Sequence, residues 1–205
     1  MAREHHQNLS SINPGQILMS RYSAATVALC ALLSSPAFAE ERRELGAHEH
    51  GHGILNIAIE GNAIKMELEA PGDDIAGFEH DPSTADEKKT IEAAKAVLSR
   101  PLELFQLSAA AKCTVNDAKV EIVEEKHEEG KPEKAEQGAE AHHNAFQAGY
   151  RLACAAIKEL KGLDIAYFGA FKAAQRLTVN VITEKGQSKF EVTRDAPKLD
   201  LSSVM

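Results

Sequence analysis

The stretch ILNIAIEGNAIKMELEA, residues 54–70, decides the fold. Leu55, Ile57 and Ile59 alternate with smaller or polar residues, Gly61-Asn62 supplies a two-residue turn, and Ile64, Met66 and Leu68 alternate with Lys65, Glu67 and Glu69. Alternation with period two puts the apolar set on one face of extended backbone, and Gly-Asn is a preferred hairpin loop, so the segment predicts a β-hairpin with one wet face.

Downstream, Pro71-Gly72 ends the second strand, and GFEHDP at 77–82 is an irregular connection. Ser83 or Thr84 caps a predicted helix with Asp86 and Glu87 in its first turn, ending before Pro101, with Ile91, Ala94, Val97 and Leu98 as its apolar stripe. CTVNDAKVEIVEE (113–125) and AFQAGYRLACAA (145–156) both alternate and predict a pair of long strands. Setting Cys113 opposite Cys154 puts Val115 opposite Leu152 but Val120 opposite Gln147. A bulge near Asn116-Asp117, or burial of both faces, reconciles the two. Residues 124–144 hold almost no large apolar residue and predict a mobile loop. A short strand at 163–166, a helical turn around Tyr167–Ala174 and a closing hairpin (RLTVNVIT, then QSKFEVTR) follow, with 196–205 as a loose tail. The expectation is a single α+β domain over residues 54–195, with a largely antiparallel sheet built from hairpins, one main helix and one short one. The first and last hairpins match in length and placement, which also allows a pseudo-symmetric arrangement.

Upstream, AATVALCALL at 24–33 is a short apolar run followed by SSPAFA, with Ala37 and Ala39 at the small-residue positions of a signal-peptide cleavage site and Arg21 ahead of the run. Cleavage after Ala39 predicts export to the periplasm, and Met19 makes a better start than Met1. The run is about half the length a membrane-crossing helix needs, which argues against stable membrane insertion. Removing 39 of 205 residues leaves 166, with 21 basic against 30 acidic residues (23 − 2 and 31 − 1), a net charge of −9. So acidic a chain disfavours nucleic acid and anionic lipid as partners and favours cations. Cys113 and Cys154 survive cleavage without CxxC spacing, so in an oxidising compartment they predict a disulfide, two buried free thiols being the alternative.

The chemistry concentrates in residues 40–53, a His-rich segment ending in HEHGHG. In extended backbone His48, His50 and His52 fall on one face, and three imidazoles suit Zn²⁺. A His-rich linker without a fixed site is the plainer reading. The returning hairpin offers His80 as a ligand from a distant stretch, with Asp73, Asp74 and Glu79 as extra ligands or as partners that orient the imidazoles. His127, His142 and His143 stand among glutamates in the loop and predict at most a weaker site. Helical HExxH, G-x-S-x-G, a P-loop and a dinucleotide fingerprint are all missing from the sequence, so a non-enzymatic role is expected. Copper or nickel in place of zinc, or an envelope interaction protein with incidental histidines, are the competing expectations.

Taken together, GAHEHGHGILNIAIEG, LEAPGDDIAGFEH, the AAKC and YRLACA segments around a His- and Glu-rich insert, and the closing hairpin resemble the ZrgA-like family of zinc-regulated periplasmic proteins. The resemblance spans the chain beyond the signal segment. It implies zinc binding that accompanies uptake across the envelope, with a membrane zinc transporter or periplasmic carrier as partner. It also places the family's HxHG motif on His48, His50 and Gly51, and its FEH motif on Phe78, Glu79 and His80.

Overall fold

Alternating burial organises the strands of the described residues. In a computed structural model, which describes residues 49–125 and 143–205, β1 (His52–Glu60) and β2 (Ala63–Pro71) form the expected hairpin around Gly61-Asn62. Leu55, Ile57, Ile64, Met66 and Leu68 are at most 3% exposed. Fully burying each such side chain contributes roughly 1.5–3 kcal/mol, so this hairpin is the natural centre of the core.

Outside it, β4 (Cys113–Glu125) and β5 (His143–Cys154) add to β2 as an antiparallel pair. β7 (Arg176–Thr183) and β8 (Gly186–Thr193) add to β1, giving six strands in the order β4-β5-β2-β1-β7-β8. Every neighbouring pair is antiparallel except β1 with β7, which run parallel with Leu55 beside Val179. The two terminal hairpins therefore lie side by side, joined through their first strands.

Cys113 sits opposite Cys154 and is bonded to it, and a register shift between Val115 and Asp117 moves Val120 opposite Ala148. The bulge resolves the conflict between the two registers: Ala118, Val120 and Ile122 all turn to the core side. Pairing also runs further than expected, to Glu125 opposite His143. Glu124, Glu125, His143 and Asn144 are thus strand residues, because backbone pairing with the neighbouring strand satisfies their polar groups without any large side chain. The rest of the expected mobile loop, 126–142, lies outside the described residues, as do the signal segment and residues 40–48.

One face of the sheet is covered. α1 (Gly72–Ala76) follows β2 directly, and α2 (Ala85–Leu98) starts in a capping box in which the Thr84 side chain accepts from the Glu87 N–H while Glu87 accepts from the Thr84 N–H. α2 buries Ile91, Ala94 and Leu98, and the Tyr150 hydroxyl on β5 donates to the Leu98 carbonyl. After α3 (Pro101–Leu104), β3 (Phe105–Leu107) begins a second small sheet, ordered β3-β6-β9, with β6 (Gly162–Ile165) and β9 (Lys198–Asp200). Tyr167 and Phe168 of α4 (Tyr167–Ala170), with Phe105 and Phe171, form an aromatic cluster beneath it.

Residues 196–205 are not the loose tail that their sequence suggests. β9 pairs with β6, and Leu199 and Leu201 are buried, which outweighs the polar character that suggested looseness. The described residues all belong to one compact unit, and no helix among them is long and apolar enough to cross a membrane.

Candidate metal centre

The N-terminal histidines enter the fold through a tight turn. The His52 N–H donates to the Glu49 carbonyl (3.0 Å), closing a turn over His50 and Gly51. Gly51 has φ +80°, a left-handed conformation that costs an L side chain strain, and a Cβ there would stand 3.1 Å from Gln175 Cγ. Three hydrogen bonds pin this residue. Its N–H donates to the buried Asp74 Oδ1 (2.7 Å), and its carbonyl accepts from the Gln175 (2.8 Å) and Arg176 (2.9 Å) N–H groups. Arg194, in turn, donates to the carbonyls of Phe168, Phe171, Lys172 and Ala174, holding the segment that leads into Gln175.

This turn defeats the argument that residues two apart share a face. His50 precedes the reversal and its Nε2 reaches Glu79 Oε1 at 3.0 Å. His52 follows it, on β1 with the parity of Ile54 and Asn56, so it lies on the sheet face opposite the core. There its Nε2 meets the Thr178 hydroxyl (2.9 Å), and its Nδ1 faces Arg176 and Glu49, themselves an ion pair. Burial and, next, the Arg176 guanidinium hold His52 below the ordinary imidazole range. His48 lies outside the described residues.

Glu79 is the hub of the site. One carboxylate oxygen takes His50 and the other is 2.5 Å from His143 Nδ1. The carboxylate keeps only 13% side-chain exposure, and its hydrogen bond and charge raise the His50 pKa above its usual value, with Asp73 and Asp74 adding to the effect. Where β2 stops, residues 78–81 take over its place beside the start of β5. The Asn144 N–H donates to the Glu79 carbonyl (2.8 Å), and the buried Asn144 amide donates to Asp81 Oδ1 (3.1 Å). Gly72 makes that close approach possible, since a Cβ there would stand 2.7 Å from both the Asn144 and Phe78 carbonyl oxygens.

His80 is brought elsewhere. Its ring stacks on Phe78 (4.9 Å between centroids), Nδ1 meets the Asp81 carbonyl, and Nε2 faces Glu87 at 3.8 Å. Asp73 and Asp74 open α1, and Asp74 is 3% exposed, its pKa raised first by burial. Asp74 Oδ2 and Asn144 Oδ1 are buried without a hydrogen-bond partner.

His143, expected only in a weak loop site, is thus drawn into the folded centre, whereas His127 and His142 lie outside the described residues. Asn144 was not foreseen at all. The available signal for both was the strand register carried through the bulge, which brings His143 and Asn144 to the sheet end where Pro71 leaves β2. Among the described residues no three His, Cys, Asp or Glu side chains already stand in an arrangement that would hold an ion. What the fold provides is two imidazoles from distant segments on one carboxylate, with two more acidic side chains behind them. Such a set can take a proton or a borderline-soft divalent cation.

A family model described as ZrgA family zinc uptake protein matches residues 47–201 of this chain. No curated protein matches it.

Proposed function

The chain belongs to the ZrgA family of zinc uptake proteins, and from that premise we propose that it is an exported, non-catalytic periplasmic protein that captures Zn²⁺ at the His50–Glu79–His143 centre and passes it to an envelope transporter. The observation that carries the reading is Glu79 spanning two imidazoles whose positions in sequence are 93 residues apart (143 − 50), a placement that only the folded sheet end produces.

Capture exchanges the hydrogen bonds of Glu79 for bonds to the cation. The imidazoles must be neutral to bind, so protons compete with the metal. His48, two residues before His50, shares the family's HxHG motif with it and offers a further imidazole. Asp74 supports the centre indirectly through Gly51, as hydrogen-bonded partners of metal ligands commonly do. Export is supported by the AATVALCALL segment and by the disulfide, which suits an oxidising compartment.

Calorimetric titration of the protein with Zn²⁺ tests the site. His50→Ala, Glu79→Ala and His143→Ala are each expected to weaken binding by at least about tenfold, while His52→Ala stays near the parent because its ring lies on the other sheet face. Parental affinity in all three of the first variants would remove the site from consideration.

A further inference from the structure

The pole of the sheet opposite the metal centre holds a cleft. β1 runs nine residues from His52 to Glu60, so its far end lies about 27 Å away at the usual strand rise. There the two hairpin turns, the segment after β5 and residues 202–205 enclose a cleft of about 570 Å³. Small-molecule sites fall in the range of roughly 300–1,000 Å³ and combine an apolar body with a few polar groups.

This cleft has that build. Its floor includes Ile59, Ile157 and Val204, and Lys158, Lys161 and Lys185 stand around it, with Glu184 the one acidic side chain in the lining. In a chain of net charge −8, three ammonium groups at one cleft are a local reversal of sign. Other exposed lysines of the sheet face, such as Lys65 and Lys119, sit 2.7 Å from a glutamate carboxylate. Lys161 instead donates to the Lys158 carbonyl (2.7 Å), and among the described residues none of the three cleft lysines has a carboxylate within ion-pair distance. Unneutralised cations around an apolar floor are complementary to a ligand with an anionic head and an apolar tail.

We propose that this cleft binds a small amphiphilic anion, a monocarboxylate on an unbranched apolar tail, with the tail on Ile59, Ile157 and Val204 and the carboxylate among Lys158, Lys161 and Lys185. The cleft shares no residue with the metal centre.

Titrating the full, metal-free protein with decanoate and following backbone amide resonances tests this, with decanol and acetate as tail-only and head-only comparators. Decanoate is expected to move the amides of Gly61, Ile157 and Val204 and to leave those of Gly51 and Asp74 in place. Both comparators should bind more weakly, and the double variant Lys158→Ser, Lys161→Ser should weaken decanoate by about three- to tenfold, the size that exposed charge pairs allow. Both lysines are exposed, so the substitutions spare the core. Shifts confined to other parts of the molecule, undiminished binding by the double variant, or decanol binding as tightly as decanoate would each overturn the assignment. Because no zinc is present, its failure leaves the metal reading untouched.

Discussion

Replacing Gly72 by Ala tests how the metal centre is assembled. The added Cβ would lie 2.7 Å from the Asn144 carbonyl oxygen, 2.7 Å from the Phe78 carbonyl oxygen and 3.2 Å from Glu79 Cα. All three are backbone atoms, so no side-chain rotation relieves the clash. Either β5 or the 78–81 segment must move by several tenths of an ångström, and the Asn144–Glu79 hydrogen bond that docks the segment lies between them. Overpacking of this kind costs roughly 1–3 kcal/mol. For a domain of this size that lowers the thermal midpoint by roughly 2–12 °C, at about 2–4 °C per kcal/mol. The same displacement carries Glu79 away from His143, so zinc affinity should fall together with stability. Gly149→Ala is the matched control, because a Cβ there meets nothing within 4 Å. Thermal unfolding by circular dichroism and calorimetric zinc titration read the two effects separately. A Gly72→Ala protein as stable as Gly149→Ala, with parental zinc affinity, would refute the claim that this close approach builds the site.

Three further outcomes follow from the same geometry. Gly51→Ala, strained by its left-handed backbone at about 1–2 kcal/mol, should weaken zinc binding in calorimetry through displacement of His50; unchanged affinity would show that the turn does not orient the imidazole. Removing the disulfide by Cys113→Ala with Cys154→Ala frees a loop of 41 residues and should lower the unfolding free energy in urea by about 4 kcal/mol on the chain-entropy estimate, whereas a loss under about 1 kcal/mol would contradict it. His52 is held below the ordinary imidazole range, so below about pH 6.5 the unfolded chain takes up a proton that the folded chain resists. Its contribution to stability is therefore full above that pH and drains as pH falls. Thermal midpoints measured between about pH 5 and pH 7.5 should vary less in His52→Gln than in the parent, and identical pH profiles would exclude the mechanism.

The hairpins were legible because their pattern is local. Leu55, Ile57, Ile64, Met66 and Leu68 declare one buried face, Gly61-Asn62 declares the turn, and Thr84 with Glu87 declares the start of α2. The bulge at Asn116 was only half readable: the clash between the cysteine pair and Val120 called for either a bulge or burial of both faces, and the paired strands decide for the bulge. The parallel pairing of β1 with β7 was not readable, because it joins segments more than a hundred residues apart and leaves no mark within either. The docking of residues 198–201 escaped for a related reason: two leucines in a polar tail say nothing about β6, the strand with which residues 198–200 pair.

The metal centre divides along the same line. Spacing alone identified the histidine-rich segment, but it could not reveal that Gly51 reverses the backbone, sending His50 to Glu79 and His52 to Thr178. The reversal depends on Asp74 and on the Gln175 and Arg176 amides, contributed by two distant segments. Nor could residue type separate Glu79 from His80. Histidine is the better zinc ligand taken singly, yet with the Glu79 backbone fixed against β5 by Asn144 the neighbouring imidazole lies against Phe78 and Glu87. The centre is assembled by backbone docking at the frayed end of a sheet, where β2 stops at Pro71, Gly72 lets residues 78–81 pack in, and β5 supplies His143 just beyond the last paired position of β2. A site built this way takes its ligands from whichever side chains the register presents there, and the register is a property of the whole sheet.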